Sequence, residues 1–242
     1  MKYGVIPCAG QGKRMGFLSY VLPKTLFPVW EKPLLHLIVE NMLKLGVEKI
    51  FFIVNYRKDM VREYLERTEF SRNFERHFIE QKELRGIAHA INLTKDFIDD
   101  NFICILGDDL TIVKGLDNLV KCFNDNNAIL VEGAVPENNR EVLKSTCSIQ
   151  IGPENKMIEI VEKPEDPPSN IRGTGIYLFS PKIFDYIEKT PVSNIRNEIE
   201  ITDTINLVAK DNKAYFGFIE GINVNINSMK DLFEAWKLMK NA

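Results

Sequence analysis

The sequence predicts an α/β fold of the Rossmann-like kind, a mostly parallel sheet with helices on both faces. Short apolar runs alternate with amphipathic stretches through the first half of the chain, and several of those runs are continuously apolar, as in strands buried on both faces. The bulk composition agrees: 242 residues with 45% hydrophobic and 27% charged side chains make a globular protein able to bury a sizeable core.

In chain order, residues 2–8 read as a strand running into a glycine-containing loop. Residues 33–45 carry Leu34, Leu37, Ile38, Met42 and Leu45 at helical spacing and stop at Gly46, a helix-ending residue. A buried strand follows at 50–54, a helix at Lys58–Arg67, a short strand at 78–80 and a helix at 87–93. Residues 102–106 form a further buried strand, 116–123 a helix and 128–135 a strand. Sheets built this way bind ligands beyond the carboxyl ends of their strands, so the loops after Cys8, Glu80 and Leu106 should converge on one site. The second half is less regular. Cys147–Ile151 and 157–161 flank 152–156 as a hairpin, 175–179 is a strand, a helix begins near Pro181, and 202–210 and Met229–Lys240 are helical. No repeat or linker interrupts the chain, so 1–242 is expected to be a single domain, with one half at about 1–135 and a covering half at about 136–242.

Composition narrows the partners. A formal net charge of −3 leaves no basic footprint for nucleic acid, though a local patch could serve a small phosphorylated substrate. No apolar run approaches the ~20 residues that span a bilayer, and the N-terminus lacks a secretory apolar region. A cytoplasmic protein without nucleic-acid or membrane partners is expected, and a homo-oligomer is compatible with the sequence. The four cysteines, Cys8, Cys104, Cys122 and Cys147, form no CxxC pair; Cys8 and Cys104 lie in apolar runs and read as buried thiols.

The loop after the first strand, Gly10-Gln11-Gly12-Lys13-Arg14-Met15, has the chemistry of an anion cradle: glycines let backbone N–H groups surround a phosphate, and Lys13 and Arg14 add charge. It lacks the third glycine of a dinucleotide fingerprint and the spacing of a P-loop, and alone it reads equally as a surface turn with two solvated basic residues. Its continuation, GQGKRMGFLSYVLPKTLFPV over residues 10–29, resembles the GxGxRLxPxTxxxPKxLxPV signature of the sugar-1-phosphate nucleotidylyltransferases. Gly10, Gly12, Arg14, Pro23, Lys24, Leu26, Pro28 and Val29 match in register; Met15 and Ser19 are mild variants, and Phe17 replaces a usual proline.

The resemblance implies a Mg²⁺-dependent transfer of a nucleoside monophosphate from a nucleoside triphosphate to a sugar 1-phosphate, with release of pyrophosphate. Ala9, Gly10, Gly12 and Lys13 would hold the triphosphate, with Arg14 on the leaving phosphates and Lys24 at the α-phosphate. Residues 81–90 resemble the family's base-reading segment: Gln81 offers the donor and acceptor that match the imide edge of uracil or thymine, and Gly86 would let the backbone approach the base. Asp108 follows a glycine at the end of a buried strand and maps onto a metal ligand, with Asp109 assisting at most. Glu162-Lys163-Pro164 matches an EKP triplet in which Glu162 accepts from sugar hydroxyls and Lys163 contacts the sugar phosphate; Gly175 lines the sugar pocket, and Glu198 is a second acceptor, with Thr202 as the next helix's N-cap. The resemblance places a second metal ligand at Asn225, where many members carry aspartate, and puts Asn227 at a glycine position. The nucleotide-binding half would then be about 1–135 and the sugar-phosphate half about 136–242. UTP or dTTP and a hexose such as glucose are the expected substrates. A cytidylyltransferase acting on another alcohol or sugar phosphate, and a non-catalytic sugar-nucleotide-binding relative, are the rival readings.

Overall fold

The computed structural model describes residues 1–194 and 197–240. The chain is α/β, with mostly parallel strands and helices beside them, and it forms two compact units, neither a single stretch of sequence.

The first unit comprises Met1–Leu84, Cys104–Val113 and Gly221–Ala242. Its strands Tyr3–Pro7, Lys49–Val54 and Glu75–Glu80 pair in parallel, Tyr3 opposite Lys49 and Lys49 opposite Glu75. Their apolar runs have no solvent-facing side: Val5, Ile6, Ile50, Phe52 and Ile53 are fully buried, each such side chain contributing about 1.5–3 kcal/mol of burial. The helix Leu34–Lys44 buries Leu34, Leu37, Ile38 and Met42, the stripe its periodicity announces, and ends where Gly46 takes φ +71°. It packs so close that a Cβ on Gly4 would stand 2.7 Å from Met42 Sδ. The more polar helix Lys58–Arg67 buries only Val61 and Leu65, one turn apart. The third strand is longer than 78–80 because its buried neighbour supplies the pairing that Glu75, Arg76 and His77 do not signal by hydropathy.

The parallel order gathers the loops that leave the strands at their carboxyl ends. Cys8 N donates to Ile53 O at 2.9 Å, Gln81 N to Val54 O at 2.9 Å, and Gly107 N to Pro7 O at 3.0 Å. Gly107 admits no side chain, since a Cβ would lie 2.6 Å from Pro7 O and 2.9 Å from Thr25 Cγ2.

The second unit comprises Arg85–Ile103 and Lys114–Glu220. Here Leu130–Pro136 pairs in parallel with Ala214–Phe218 and antiparallel with Ile171–Phe179. The expected hairpin is present as Cys147–Ile151 against Met157–Glu162. The helix Ile201–Lys210 is tied to that hairpin by Asn206, which donates to Ile160 O at 3.0 Å and accepts from Ile160 N at 2.8 Å. Its N-cap is Glu200, in extended conformation and without a side-chain cap, so Thr202 sits inside the helix rather than capping it. Among the described residues, no helix is long and apolar enough to cross a membrane.

Candidate active site

In the first unit the glycine loop is shaped for its neighbour Lys24. Gly12 lies at φ +64°, and a Cβ there would stand 3.2 Å from Lys24 Cβ. A short 3₁₀ turn, Lys13–Met15, follows and ends at Gly16; it buries Met15 and leaves Lys13 and Arg14 exposed. Gly10 has open space where a side chain would be. Ala9 is buried and Phe17 is 70% exposed, so the residue that replaces the signature's proline faces water.

Lys24 opens a 3₁₀ turn, Lys24–Leu26, and is only 8% exposed. Its Nζ donates to Asp108 Oδ2 at 2.8 Å and to Asn227 Oδ1 at 3.1 Å. Arg14 Nη2 reaches the same Asn227 oxygen at 2.9 Å. Two cations from the sequence motif thus converge on one amide oxygen, next to the carboxylate that the resemblance names as a metal ligand. Asp108 sits in the tight turn after Gly107, and its backbone carbonyl accepts from Ile226 N at 2.9 Å, which registers residues 225–227 against it. Asn227 and the start of the helix Met229–Lys240 are held by Asp231, whose Oδ2 accepts from Asn227 N at 2.9 Å and Ser228 N at 2.7 Å. Asn225 donates from Nδ2 to Asp109 Oδ1 at 2.8 Å and accepts from Asn227 Nδ2. The arrangement brings together Arg14, Lys24, Asp108 and Asn225 of the expected residues. It adds Asn227 and the buried Asp109, which the motif reading left at the margin.

Gln81 follows directly on the strand Glu75–Glu80 and is 3% exposed, with its carbonyl accepting from Asn55 Nδ2 at 2.7 Å. Nearby, Tyr56 donates to Ser19 O at 2.7 Å and so ties the segment after the glycine loop to the end of Lys49–Val54.

In the second unit Gly86 takes φ +96° and stands against the chain at Ile199: an added Cβ would meet Ile199 O at 2.5 Å. Ile199 N donates to Arg85 O at 2.8 Å, so residues 85–86 lie beside Glu198 and Ile199, an adjacency nothing in the sequence signals. Glu162 and Lys163 are both exposed and pair at 3.3 Å. Lys163 holds φ +47°, a left-handed backbone rare for a non-glycine residue, pinned by its N–H donating to Thr146 O at 2.7 Å. Gly175, at φ +66°, lies where the pairing of Ile171–Phe179 slips between Gly173 and Tyr177. A buried carboxylate, Glu132, stands behind that slip, and a Cβ on Gly173 would be 2.2 Å from its Oε1. Its position in an apolar strand gave no motif to find it by.

The cysteines are free, as expected; Cys8 and Cys104 are buried, and burial pushes the Cys8 thiol up to about 12.

Known proteins resemble this chain over nearly its whole length. The chain is 35% identical over 237 residues to the bifunctional protein GlmU of Methanocaldococcus jannaschii, covering 98% of this chain and 52% of that protein. The chain therefore spans about half the length of the GlmU proteins it matches. It is 30% identical over 236 residues to the UTP--glucose-1-phosphate uridylyltransferase AglF of Haloferax volcanii, covering 96% of this chain and 93% of that one. Among solved structures, a UDP-glucose pyrophosphorylase complexed with UDP-glucose superimposes with a TM-score of 0.87 at 25% identity, over 100% of this chain and 99% of that one. A putative glucose-1-phosphate thymidylyltransferase from Bacillus anthracis gives 0.85 at 25% identity, over 100% and 96%. The nucleotidyl transferase family profile matches residues 3–241, nearly the whole chain, and the chain belongs to the nucleotidyl transferase family.

Proposed function

We propose that this chain transfers a nucleoside monophosphate from UTP or dTTP to a hexose 1-phosphate, with glucose 1-phosphate the first candidate, and releases pyrophosphate. The observation that carries the reading is the convergence of Arg14 and the buried Lys24 on Asn227 Oδ1, with Lys24 also 2.8 Å from Asp108. Such a cluster stores positive charge where a triphosphate would arrive.

In this reading the N–H groups of residues 9–13 and the Arg14 guanidinium hold the phosphates that leave, and Lys24 meets the α-phosphate. An oxygen of the sugar phosphate attacks the α-phosphorus, and the bond from that phosphorus to the bridging oxygen of pyrophosphate breaks. The attacking oxygen is already anionic, so positioning and charge stabilisation do the chemistry and no general base is required. By the family resemblance Gln81 reads the pyrimidine and Gly86 serves the base, while Glu162, Lys163, Gly175 and Glu198 serve the sugar phosphate.

The donor set fits Mg²⁺. Among the described residues, no group of three or more His, Cys, Asp or Glu side chains forms a cage, and the Lys24 ammonium takes Asp108 through Oδ2. One carboxylate and the Asn225 amide oxygen suit an ion that takes its remaining ligands from phosphate oxygens and water. When bound, Mg²⁺ would supply charge neutralisation on the departing phosphates. The Lys24–Asp108 pair holds both groups until the triphosphate offers Lys24 a stronger partner.

The test is a panel of UTP, dTTP, CTP, ATP and GTP against glucose 1-phosphate, N-acetylglucosamine 1-phosphate and phosphocholine, scored by pyrophosphate release. UTP or dTTP with a hexose 1-phosphate should give the highest kcat/KM. Turnover confined to CTP, or to phosphocholine, would replace the reading with a cytidylyltransferase, and no metal-dependent turnover on any pair would make the chain a binding protein.

A further inference from the structure

The polar side chains around Lys24 form a hydrogen-bonded chain that has only one possible direction. Arg14 and Lys24 can only donate, and both donate to Asn227 Oδ1. An ionised aspartate can only accept, and Asp109 accepts from Asn225 Nδ2 at 2.8 Å. Between these ends Asn227 Nδ2 donates to Asn225 Oδ1. Turning either amide over would put NH₂ against a cation at one end or an oxygen against the carboxylate at the other. Both amides therefore have their orientation set from the ends. Asp109 is 2% exposed, whereas Asp108 keeps a third of its side chain in contact with solvent. Asp108 belongs to the turn before the strand Asp109–Lys114, and Asp109 is buried at that strand's first position.

We propose that Asp109 is a positioning residue for the triphosphate site: as a buried acceptor it orients Asn225 and Asn227, and through Asn227 Oδ1 it holds Arg14 and Lys24 in place. The proposal rests on the reading that those two cations receive the triphosphate. It also explains why position 225 carries an amide. An aspartate there would set a second carboxylate acceptor at hydrogen-bond distance from Asp109, in place of the amide donor that Asp109 accepts from. An acid at 225 is then matched only by an amide at 109 that can donate to it.

Four proteins test this: the wild type, Asp109→Asn, Asn225→Asp, and the double exchange, which moves the donor to 109 and the acceptor to 225. Each is followed by its melting temperature in EDTA without substrate, and by kcat and triphosphate KM in Mg²⁺. Residues in one hydrogen-bonded network couple strongly, so Asn225→Asp, which sets two acceptors against each other, should raise the triphosphate KM by about tenfold and lower the melting temperature in EDTA, whereas Asp109→Asn, whose amide oxygen still accepts, should raise KM less. The double exchange should return KM to within about threefold of wild type and recover the melting temperature. If the double variant is as impaired as the two singles combined, the pairing carries no function and the proposal falls. If the melting temperature is rescued but KM never moves, Asp109 is a structural residue only, and the proposal falls likewise. Should the wild type turn over no triphosphate, the proposed reaction fails, and titration of UTP binding in the four proteins decides the positioning role by the same pattern of loss and rescue.

Discussion

Removing the Lys24 ammonium should cost both turnover and stability, and the two costs can be separated. Lys24 is 8% exposed, packs its stem against Gly12 and pairs with Asp108 at 2.8 Å, so it is no surface lysine. Breaking a buried ion pair by deleting one partner costs about 3–5 kcal/mol, and an exposed pair contributes about 0–1 kcal/mol. With the Asp108 side chain 34% exposed, screening brings the loss for Lys24→Ala to roughly 1–3 kcal/mol. For a chain of this size that lowers the melting temperature by roughly 2–12 °C. Lys24→Met keeps most of the stem against Gly12 and should lose less stability while losing the same charge. Both variants should lower kcat by about 10²–10³-fold, the effect of removing one preorganised donor from a developing charge. The assay is pyrophosphate release under saturating substrates at a temperature well below both melting transitions. A variant that keeps more than about half of the wild-type kcat refutes the role of Lys24. A Lys24→Met protein that turns over normally while Lys24→Ala does not would assign the loss to packing.

If Gln81 reads a pyrimidine imide, CTP should be used about 5–150-fold less efficiently than UTP, from one unsatisfied polar group at about 1–3 kcal/mol, and kcat/KM for the two triphosphates measures it. Lys163→Gly removes a left-handed non-glycine backbone worth roughly 1–2 kcal/mol, so the melting temperature should rise while kcat/KM for the sugar phosphate falls; a fall in both would deny Lys163 its strained role. Asp108→Asn should nearly abolish turnover at every Mg²⁺ concentration, and full recovery at high Mg²⁺ would reduce Asp108 to an aid in metal affinity. The Cys8 thiol, pushed up to about 12 by burial, and the buried Cys104 should resist alkylation at pH 8 until denaturant is added, as read by mass spectrometry of the labelled peptides.

Where the sequence carried a strong period, the elements were legible nearly to the residue. Lys58–Arg67, Met229–Lys240 and the hairpin strand Cys147–Ile151 are found where patterning places them. The strand Ala214–Phe218 and the segment Asp109–Lys114 carry no local signal, because their pairing partners are remote in sequence and their runs short. Only half of Glu75–Glu80 is legible by hydropathy, since a polar face hides a strand whose pairing comes from its neighbour. Propensity reports local preference, and these strands owe their existence to non-local pairing.

The candidate site divides along the same line. Arg14, Lys24 and Asp108 follow glycine- and proline-bearing turns whose backbone demands are local, so a contiguous motif can announce them. Asp109 and Asn225 are 116 positions apart, and neither has a motif of its own; each looks like a variant residue when read alone. Their meaning lies in donor and acceptor complementarity, which exists only once the chain between them has folded. The departure at Asn225 that reads in sequence as a lost metal carboxylate is, in the fold, a donor matched to a buried acid. For this reason an exchange at one of the two positions cannot be judged without the other.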